Sequence, residues 1–380
     1  MFRSLFWMMA ALIGVTMGCA VGPVNLPVCN AQNSPNSICG LMNPEDLSYL
    51  PGREWIIVSQ MAARDSEAGM AAPPSRPGVL LAIRISDVSR QTMFPVATEW
   101  PGDDAVVGLQ EGWGDPSCPG APEADLFQPH GIDVGQHASG ADMLAVVNHG
   151  GRESVEFFEI ISGERPRIEW RGCVEMPDDV GPNDVALFAD GGFVVTKFMP
   201  PIEGMGPKAI WNLLKITWGW DTGAVYRWAP GGEVAIVPGS EGSAPNGVAI
   251  SADETEIFVA QWGEANVYRV SLLPEQSSGR REKALLDHHP DNLTWTDDGQ
   301  LMVAGQGGSM AEILGCGEVQ KGGCGLDYGV YLIDPDSLSV QKLFTGKGAA
   351  SVALEVGDEI YVGVFSGDQV ERVMAPQTID

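Results

Sequence analysis

Residues 183–195 read NDVALFADGGFVV: a polar pair is followed by a short apolar strand, an Asp-Gly turn and a second apolar strand. The same order of features returns as NGVAISADETEIFVA at residues 246–260 and as DNLTWTDDGQLMV at residues 291–303. Weaker copies begin at His130 and Ala350. Hairpins repeated roughly every fifty residues are typical of the blades of a β-propeller.

The length of the chain limits the number of blades. Residues 41–380, shared among six blades, allow about 57 residues for each blade. The 48 glycines and 27 prolines supply the many turns that short strands need. We therefore predict an all-β fold, a six-bladed β-propeller over residues 41–380. Five or seven blades remain compatible with the spacing.

The net charge of the chain limits the kinds of molecule that it can bind. It has 22 Lys and Arg residues against 50 Asp and Glu residues, for a formal net charge of −28. Such a field repels nucleic acid and attracts divalent cations. A content of 44% hydrophobic and 19% charged residues is typical of a folded globular protein. Nucleic-acid binding is therefore excluded.

The N-terminus has the features of an export signal. Residues 1–18 place Arg3 before a short apolar run. The run ends in VTMGC at residues 15–19, which resembles the processing site of bacterial lipoproteins. We predict a signal peptide at residues 1–18, lipidation of Cys19 and a tether at residues 19–40. The protein is then exported to the periplasmic side and anchored to a membrane, the outer rather than the inner one. An ordinary signal peptide is the alternative.

Six cysteines remain after Cys19. An even number in an oxidising compartment predicts disulfides, and six cysteines allow 15 pairings. Closeness in sequence favours two pairs and leaves a third: Cys29–Cys39, Cys316–Cys324 and Cys118–Cys173.

Polar side chains stand at the start of each repeat, where the inner strand of a propeller blade meets the central channel. Equivalent side chains from different blades are therefore expected to meet on the axis. Carboxylate and amide oxygens are hard ligands that suit calcium, although any one Asn taken alone is more typical of a turn. We predict that one calcium ion is bound by Glu45, Asn183, Asn246, Asp291 and Asn292.

The residues beside these ligands predict a second ion. Neighbouring residues of a strand point in opposite directions, so Asp46 and Asp184 are expected to point inward. Buried carboxylates need a cation, which predicts a structural calcium ion. His130 and His149 lie across one hairpin and could touch, so that one polarises a water molecule while the other orients it. Two buried structural histidines are the alternative.

These motifs together resemble the serum paraoxonase and arylesterase family, which are six-bladed propellers that hydrolyse lactones and aryl esters. The resemblance covers roughly residues 40–370. It depends on six motifs that occur in the family's order: Glu45-Asp46, Gln128-Pro129-His130-Gly131-Ile132, Val147-Asn148-His149, Asn183-Asp184, Pro245-Asn246-Gly247 and Asp291-Asn292.

The resemblance implies two calcium ions. The five ligands named above would hold a catalytic ion, and a structural ion would be held by Asp46, Asp184 and the carbonyl group of Ile132. The resemblance also implies that His130 and His149 activate water and that Phe365 lines the substrate pocket. The family's disulfide between the two ends of the chain has no counterpart, because no cysteine follows Cys324.

A segment at residues 199–220 interrupts the strands. Trp211, Leu214 and Trp218 recur in it at helical spacing. We predict an amphipathic helix inserted near residues 207–218. It either packs on the propeller or forms a lid or membrane-facing surface over the channel mouth.

The sequence therefore predicts a calcium-dependent hydrolase of lactones and of aryl or carboxylic esters, with lipophilic lactones favoured. A gluconolactonase-like sugar-lactone hydrolase, with one metal and no histidine pair, is one alternative. A non-enzymatic propeller that binds a partner and uses calcium structurally is another. The fold alone does not choose among them.

Overall fold

The computed structural model of the chain describes residues 24–62, 76–95, 109–201, 206–273, 281–319 and 321–376. Within these ranges, six antiparallel sheets of four strands each form the blades of a propeller. The predicted all-β, six-bladed fold is confirmed. The predicted signal peptide and Cys19 lie outside the described residues.

Blades 1–3 follow one another in the chain, and in each the first strand lies innermost. Two short strands precede them, β1 (Asn25–Leu26) and β2 (Ser37–Cys39). The strands of these blades are β3 (Pro44–Tyr49), β4 (Trp55–Gln60), β5 (Val79–Arg84) and β6 (Arg90–Phe94); β7 (Pro129–Gln136), β8 (Asp142–Asn148), β9 (Ser154–Ile161) and β10 (Arg167–Glu175); and β11 (Pro182–Leu187), β12 (Phe193–Lys197), β13 (Ala224–Trp228) and β14 (Ala235–Ile236).

Blades 4–6 continue this order, and the inner strand of blade 6 contacts that of blade 1. A short strand inside blade 5, β21 (Gly323–Cys324), pairs with β1. The remaining strands are β15 (Pro245–Ile250), β16 (Glu256–Gln261), β17 (Asn266–Ser271) and β18 (Lys283–Leu285); β19 (His289–Trp295), β20 (Leu301–Gln306), β22 (Asp327–Ile333) and β23 (Val340–Lys347); and β24 (Ala350–Val356), β25 (Glu359–Val364) and β26 (Gln369–Met374).

The N-terminal segment closes the ring. Strand β2 pairs with β26 as the outer strand of blade 6. Its Ile38 is 3% exposed and belongs to the core. The backbone N–H of Cys29 donates to the Asp368 carboxylate at 3.0 Å and holds the segment further. Residues 37–39, which composition assigned to a tether, therefore belong to the propeller, because Ile38 buries its side chain there.

The disulfide prediction from spacing is confirmed. All three pairs form in the structure: Cys29–Cys39, Cys118–Cys173 and Cys316–Cys324. The first lies in the closing segment, and the third holds the insertion of blade 5. The ends of the chain are thus joined by strand pairing rather than by a disulfide.

The six inner strands begin in a similar way, and the repeat pattern of the sequence showed this only in part. Five of them have a proline directly before the first polar residue, and in all six the pairing register shifts at this point. Proline cannot donate to the ladder, and a bulge re-aims the side chain that follows it. The six pairs are Pro44-Glu45, Pro129-His130, Pro182-Asn183, Pro245-Asn246, Pro290-Asp291 and Ala350-Ser351.

Adjacent inner strands lie so close that two positions require glycine. A Cβ atom at Gly131 would lie 2.5 Å from the Cα atom of Asp184. A Cβ atom at Gly247 would lie 2.3 Å from the carbonyl oxygen of Asp291. Both distances are shorter than any real Cβ contact, so a side chain would push the blades apart at the axis.

Three aspartates fasten neighbouring blades at the axis. Each carboxylate accepts one N–H from its own strand and a second, at 2.8 Å, from the inner strand of the next blade. These second bonds join Asp46 to Ile132, Asp133 to Leu187, and Asp184 to Val248. The role of Asp133 in joining blades 2 and 3 was not predicted from the sequence.

Two α-helices occur in the described ranges, each between the second and third strands of a blade: α1 (Pro207–Thr217) in blade 3 and α2 (Met310–Gly315) in blade 5. Two 3₁₀ turns accompany them, Trp262–Glu264 and Cys316–Glu318. The predicted helix is thus confirmed as α1. No helix in the described part of the chain is long and apolar enough to cross a bilayer.

Candidate metal centre

The predicted calcium ligands converge at one end of the axis. Glu45, Asn183, Asn246 and Asp291 occupy the same position on four inner strands, and Asn292 follows the last of them. The Asn292 side-chain amide donates to Glu45 Oε1 at 2.8 Å, although the two residues are 247 positions apart. Asn246 is hydrogen-bonded to Asp291. The fold therefore brings together residues that the sequence places far apart.

Four oxygen atoms at this point have no hydrogen-bond donor although they are buried. They belong to four of the five predicted ligands: Glu45 Oε2, Asn183 Oδ1, Asn246 Oδ1 and Asn292 Oδ1. Leaving a buried polar atom without a partner costs roughly 1–3 kcal/mol, so four in one place call for a further group. A hard cation accepts electron pairs from such oxygens, and a calcium ion fits the donor set.

The electrostatics of the centre support a cation as well. Burial raises the pKa of Glu45 well above its usual range, and the charges of Asp46 and Asp291 raise it further. Burial also raises the pKa values of Asp291 and Asp46 to about 7 each. Carboxylates crowded in a buried site without a compensating charge destabilise the fold when ionised.

The ligand set is mixed rather than acidic. Among the described residues, no three His, Cys, Asp or Glu side chains form a ligand group. The centre combines two carboxylates with three amides, which limits repulsion between ligands. Gln306 positions one carboxylate: its side-chain amide donates to Asp291 Oδ2, and its own oxygen accepts from Trp262 Nε1 at 2.8 Å.

The residues predicted for a second ion also lie near one another. Asp46, Ile132 and Asp184 line a cavity of about 370 Å³ together with Asp133. The charge of Asp46 adds to burial in raising the pKa of Asp184 well above its usual range. The oxygens of Asp46 and Asp184 already accept backbone N–H groups, so these carboxylates have a structural role between the blades.

The two histidines touch beside the ligand set. His130 Nδ1 lies 2.9 Å from His149 Nε2. His130 stands at the position of blade 2 that the ligands occupy in other blades, and its Nε2 lies 3.7 Å from Glu45 Oε1. The backbone N–H of His149 donates to the carbonyl of Gln128 at 3.0 Å, which fixes the two strands that carry the pair.

A third residue, Glu153, contacts the histidine pair. Its role was not predicted from the sequence. Its Oε2 lies 2.6 Å from His149 Nδ1. A carboxylate only accepts, so His149 Nδ1 carries the proton of that ring. With both rings neutral, His149 Nε2 accepts from His130 Nδ1, and His130 Nε2 lies on the side of Glu45. The spacing His149-to-Glu153 across a tight loop was the available signal.

A cavity of about 630 Å³ opens beside the pair. Phe365, predicted as a pocket residue, lines it together with His130 and His149. Trp211, Leu214 and Trp218, predicted as lid residues, are not among its lining within the described chain. The structure therefore brings Phe365 to the histidines and leaves α1 outside this cavity.

The apolar stripe of α1 faces outward. Trp211 and Trp218 are 48% and 52% exposed, and the buried residues of the helix are Ala209, Asn212 and Ile216. Trp220, just beyond the helix, adds to the stripe, with ring centroids 5.1 Å from Trp218 and 6.1 Å from Trp211. The helix packs on the propeller through Ile216, which clusters with Ala244 and Trp262, while these tryptophans stay exposed. Helical spacing alone does not reveal which face a helix buries.

The electrostatics predict a pH-dependent effect of Glu45→Gln in chelator-treated protein. The pKa of Glu45 is raised in the folded state, so its contribution to stability is fully present below its unfolded pKa and is lost as pH rises. The Gln side chain keeps the oxygen that accepts from the Asn292 amide and removes the negative charge of Glu45. We expect the free energy of unfolding of the variant to exceed that of the wild type at pH 8 and to match it near pH 4.

Urea unfolding at both pH values measures this effect, with the exposed Glu233→Gln as the control. Saturating calcium should reverse the order at pH 8, because the variant lacks a charged ligand. Equal stability of variant and wild type in chelator at pH 8 would contradict the account.

Part of the sequence and the overall architecture are similar to those of known proteins. Residues 134–321 match the family model described as SMP-30/Gluconolactonase/LRE-like region. A luciferin-regenerating enzyme superposes with a TM-score of 0.52 at 14% identity, covering 93% of this chain and 96% of that chain. No curated protein matches the sequence.

Two further solved structures superpose with lower TM-scores. A putative gluconolactonase gives a TM-score of 0.47 at 17% identity, over 90% of this chain and 92% of that chain. Regucalcin of Agrobacterium tumefaciens, described as a calcium-binding protein, gives 0.46 at 12% identity, over 89% and 92%. The family match does not single out the serum paraoxonases that the motifs resemble. Residues 134–321 therefore resemble an SMP-30/gluconolactonase/LRE-like region, and the described part of the chain forms a six-bladed β-propeller.

Proposed function

We propose that the protein is a calcium-dependent hydrolase of lactones and of aryl or carboxylic esters, with lipophilic lactones as preferred substrates. The contact of His130 with His149 beside the oxygen ligands carries the proposal. A bound catalytic calcium ion would be held by Glu45, Asn183, Asn246, Asp291 and Asn292. It would polarise the carbonyl group of the substrate.

The residues of the chain supply the proton transfer. His130 Nε2 takes a proton from the attacking water molecule. His149 holds the ring of His130 through Nδ1, and Glu153 fixes the tautomer of His149. The charge of Glu153 stabilises the positive charge that the pair acquires when the proton is transferred. Phe365 and the other apolar residues of the cavity exclude water from the substrate.

Asp46, Asp184 and the Ile132 carbonyl would hold the second, structural calcium ion. Their grouping around one cavity at the axis supports this assignment, since the buried charges of the two aspartates repel each other. The ion would stabilise the same junction that these aspartates fasten by accepting N–H groups.

The histidine pair supports the proposed function over the alternatives. A gluconolactonase-like sugar-lactone hydrolase needs one metal and no such pair, although solved structures with this fold include proteins described as gluconolactonases. A binding propeller would need neither a general base nor a carboxylate behind it. We therefore keep the paraoxonase-like activity as the proposal, with export and lipidation of Cys19 as part of it.

The activity should depend on calcium through the proposed ligands. We expect hydrolysis of a long-acyl homoserine lactone to stop on chelation and to return with calcium. Asn183→Ala should weaken calcium binding at least about tenfold, because one buried oxygen ligand is lost. Isothermal titration measures binding, and Asn266→Ala, a buried Asn away from the axis, is the control. A folded, calcium-loaded chain that hydrolyses no lactone or aryl ester would favour the binding propeller.

The histidine relay predicts a loss of turnover without a loss of metal. His130→Gln should lower kcat about 100-fold or more and leave calcium affinity unchanged, since the ring acts on water. Glu153→Gln should lower kcat about tenfold at constant KM because the tautomer of His149 is no longer fixed. Glu164→Gln, an exposed residue of the same blade, is the matched control. An unchanged rate in His130→Gln would remove that residue from the role of base.

The outward tryptophans predict binding to a lipid surface. Aromatic side chains favour the boundary between water and lipid, and an exposed apolar patch of this kind marks a contact surface. A chain starting at residue 24 should sediment with phosphatidylcholine vesicles, and Trp211→Ala with Trp218→Ala should abolish this. Trp295→Ala, an exposed tryptophan at the opposite end of its blade, should not. Equal sedimentation of all three proteins would rule out a membrane role for α1.

A further inference from the structure

We propose that the preferred substrate carries an anionic group in addition to its lactone or ester, and that Arg76 and Lys321 bind this group. The inference rests on the proposed hydrolase function and names the class of substrate. Both side chains line the cavity that contains the histidine pair. Neither takes part in the ligand set or in the relay.

The two cations come from distant parts of the chain. Arg76 precedes strand β5 in blade 1, and Lys321 lies in the insertion of blade 5. Within the described residues neither forms an ion pair, although the chain carries 50 acidic residues. Two cations that line one cavity give it a local positive charge within an acidic chain.

The rest of the cavity suits an amphiphilic substrate. Leu41, Met42, Met61 and Phe365 supply apolar lining to the same cavity. Asp368 is the acidic residue of the lining in the described chain, and its carboxylate accepts the backbone N–H of Cys29 at 3.0 Å. The cavity can therefore hold an acyl chain with its ester at the histidines and a terminal anion at Arg76 and Lys321.

The cations assist binding rather than the reaction. Water adds across the acyl C–O bond: its oxygen enters the new carboxylate, and the ring or leaving oxygen departs as a hydroxyl group. The new acid group releases one proton. An anion at the far end of the substrate is unchanged by this step, so its effect is expected in KM.

A matched pair of esters tests the inference on the full chain with calcium. We compare 4-nitrophenyl hexanoate with the 4-nitrophenyl monoester of hexanedioic acid, which differs by a terminal carboxylate. Wild type should prefer the charged ester by about tenfold in kcat/KM, and 0.5 M NaCl should reduce the preference. Arg76→Gln and Lys321→Gln should each raise KM for the charged ester about three- to fivefold and leave the neutral ester unchanged.

Arg165→Gln is the control, because it removes an exposed cation that forms no ion pair and lies outside the cavity. Loss of the preference in that variant would assign the effect to the overall charge and overturn the inference. A wild type that hydrolyses both esters equally would overturn the inference while the proposed function stands. An equal effect of Arg76→Gln and Lys321→Gln on both esters would likewise overturn it, because the cations would then act on the product carboxylate.

Calorimetry separates the inference from the proposed function. Hexanedioate should bind the wild-type chain about tenfold more tightly than it binds the variant with both cations replaced, even if neither ester is hydrolysed. Equal binding would overturn the inference whatever the activity. The salt dependence of hexanedioate binding to wild type gives the same answer if that variant does not fold, since weak binding unaffected by salt would exclude a charge contact.

Discussion

Buried oxygen atoms without hydrogen-bond donors are the constraint on which this structure depends. Glu45, Asn183, Asn246 and Asn292 each contribute one at the axis. Burial and mutual repulsion make the nearby carboxylates costly to ionise. A cation bound at the axis would offset this cost. The arrangement of all six blades is needed to bring these oxygens to one point.

Several local features hold the centre in place. A proline before five of the six polar residues, and the bulge that follows in all six strands, turn these side chains towards the axis. Gly131 and Gly247 allow the inner strands to approach closely enough for their ligands to meet. Asp133 fastens blades 2 and 3 where no ligand does so. Strand β2 then closes the ring, so the position of every ligand depends on the N-terminal segment as well.

Much of this could be read from the sequence because propeller repeats are local. A hairpin and its turn occupy about fifteen residues, so NDVALFADGGFVV already indicates a blade. Equivalent positions in the repeats then identify the polar residues that meet at the axis, and short separations identify two of the three disulfides. Glu153 was not predicted as a site residue because it lies in a loop outside the repeat. The sequence did not decide which face of α1 is exposed, because a stripe of tryptophans has the same spacing whether it is buried or exposed.

By itself the sequence determined the propeller architecture, the polar residues at the blade starts and the presence of one inserted helix, since each follows from patterns within a few tens of residues. Six blades were the best fit to the length, and the structure confirmed that number. Only the tertiary structure decided how these parts meet. It set the contact of His130 with His149 and Glu153, left four oxygens unpaired and gathered Arg76 and Lys321 into one cavity. These are contacts between separate blades and loops, and their distances depend on closure of the whole ring.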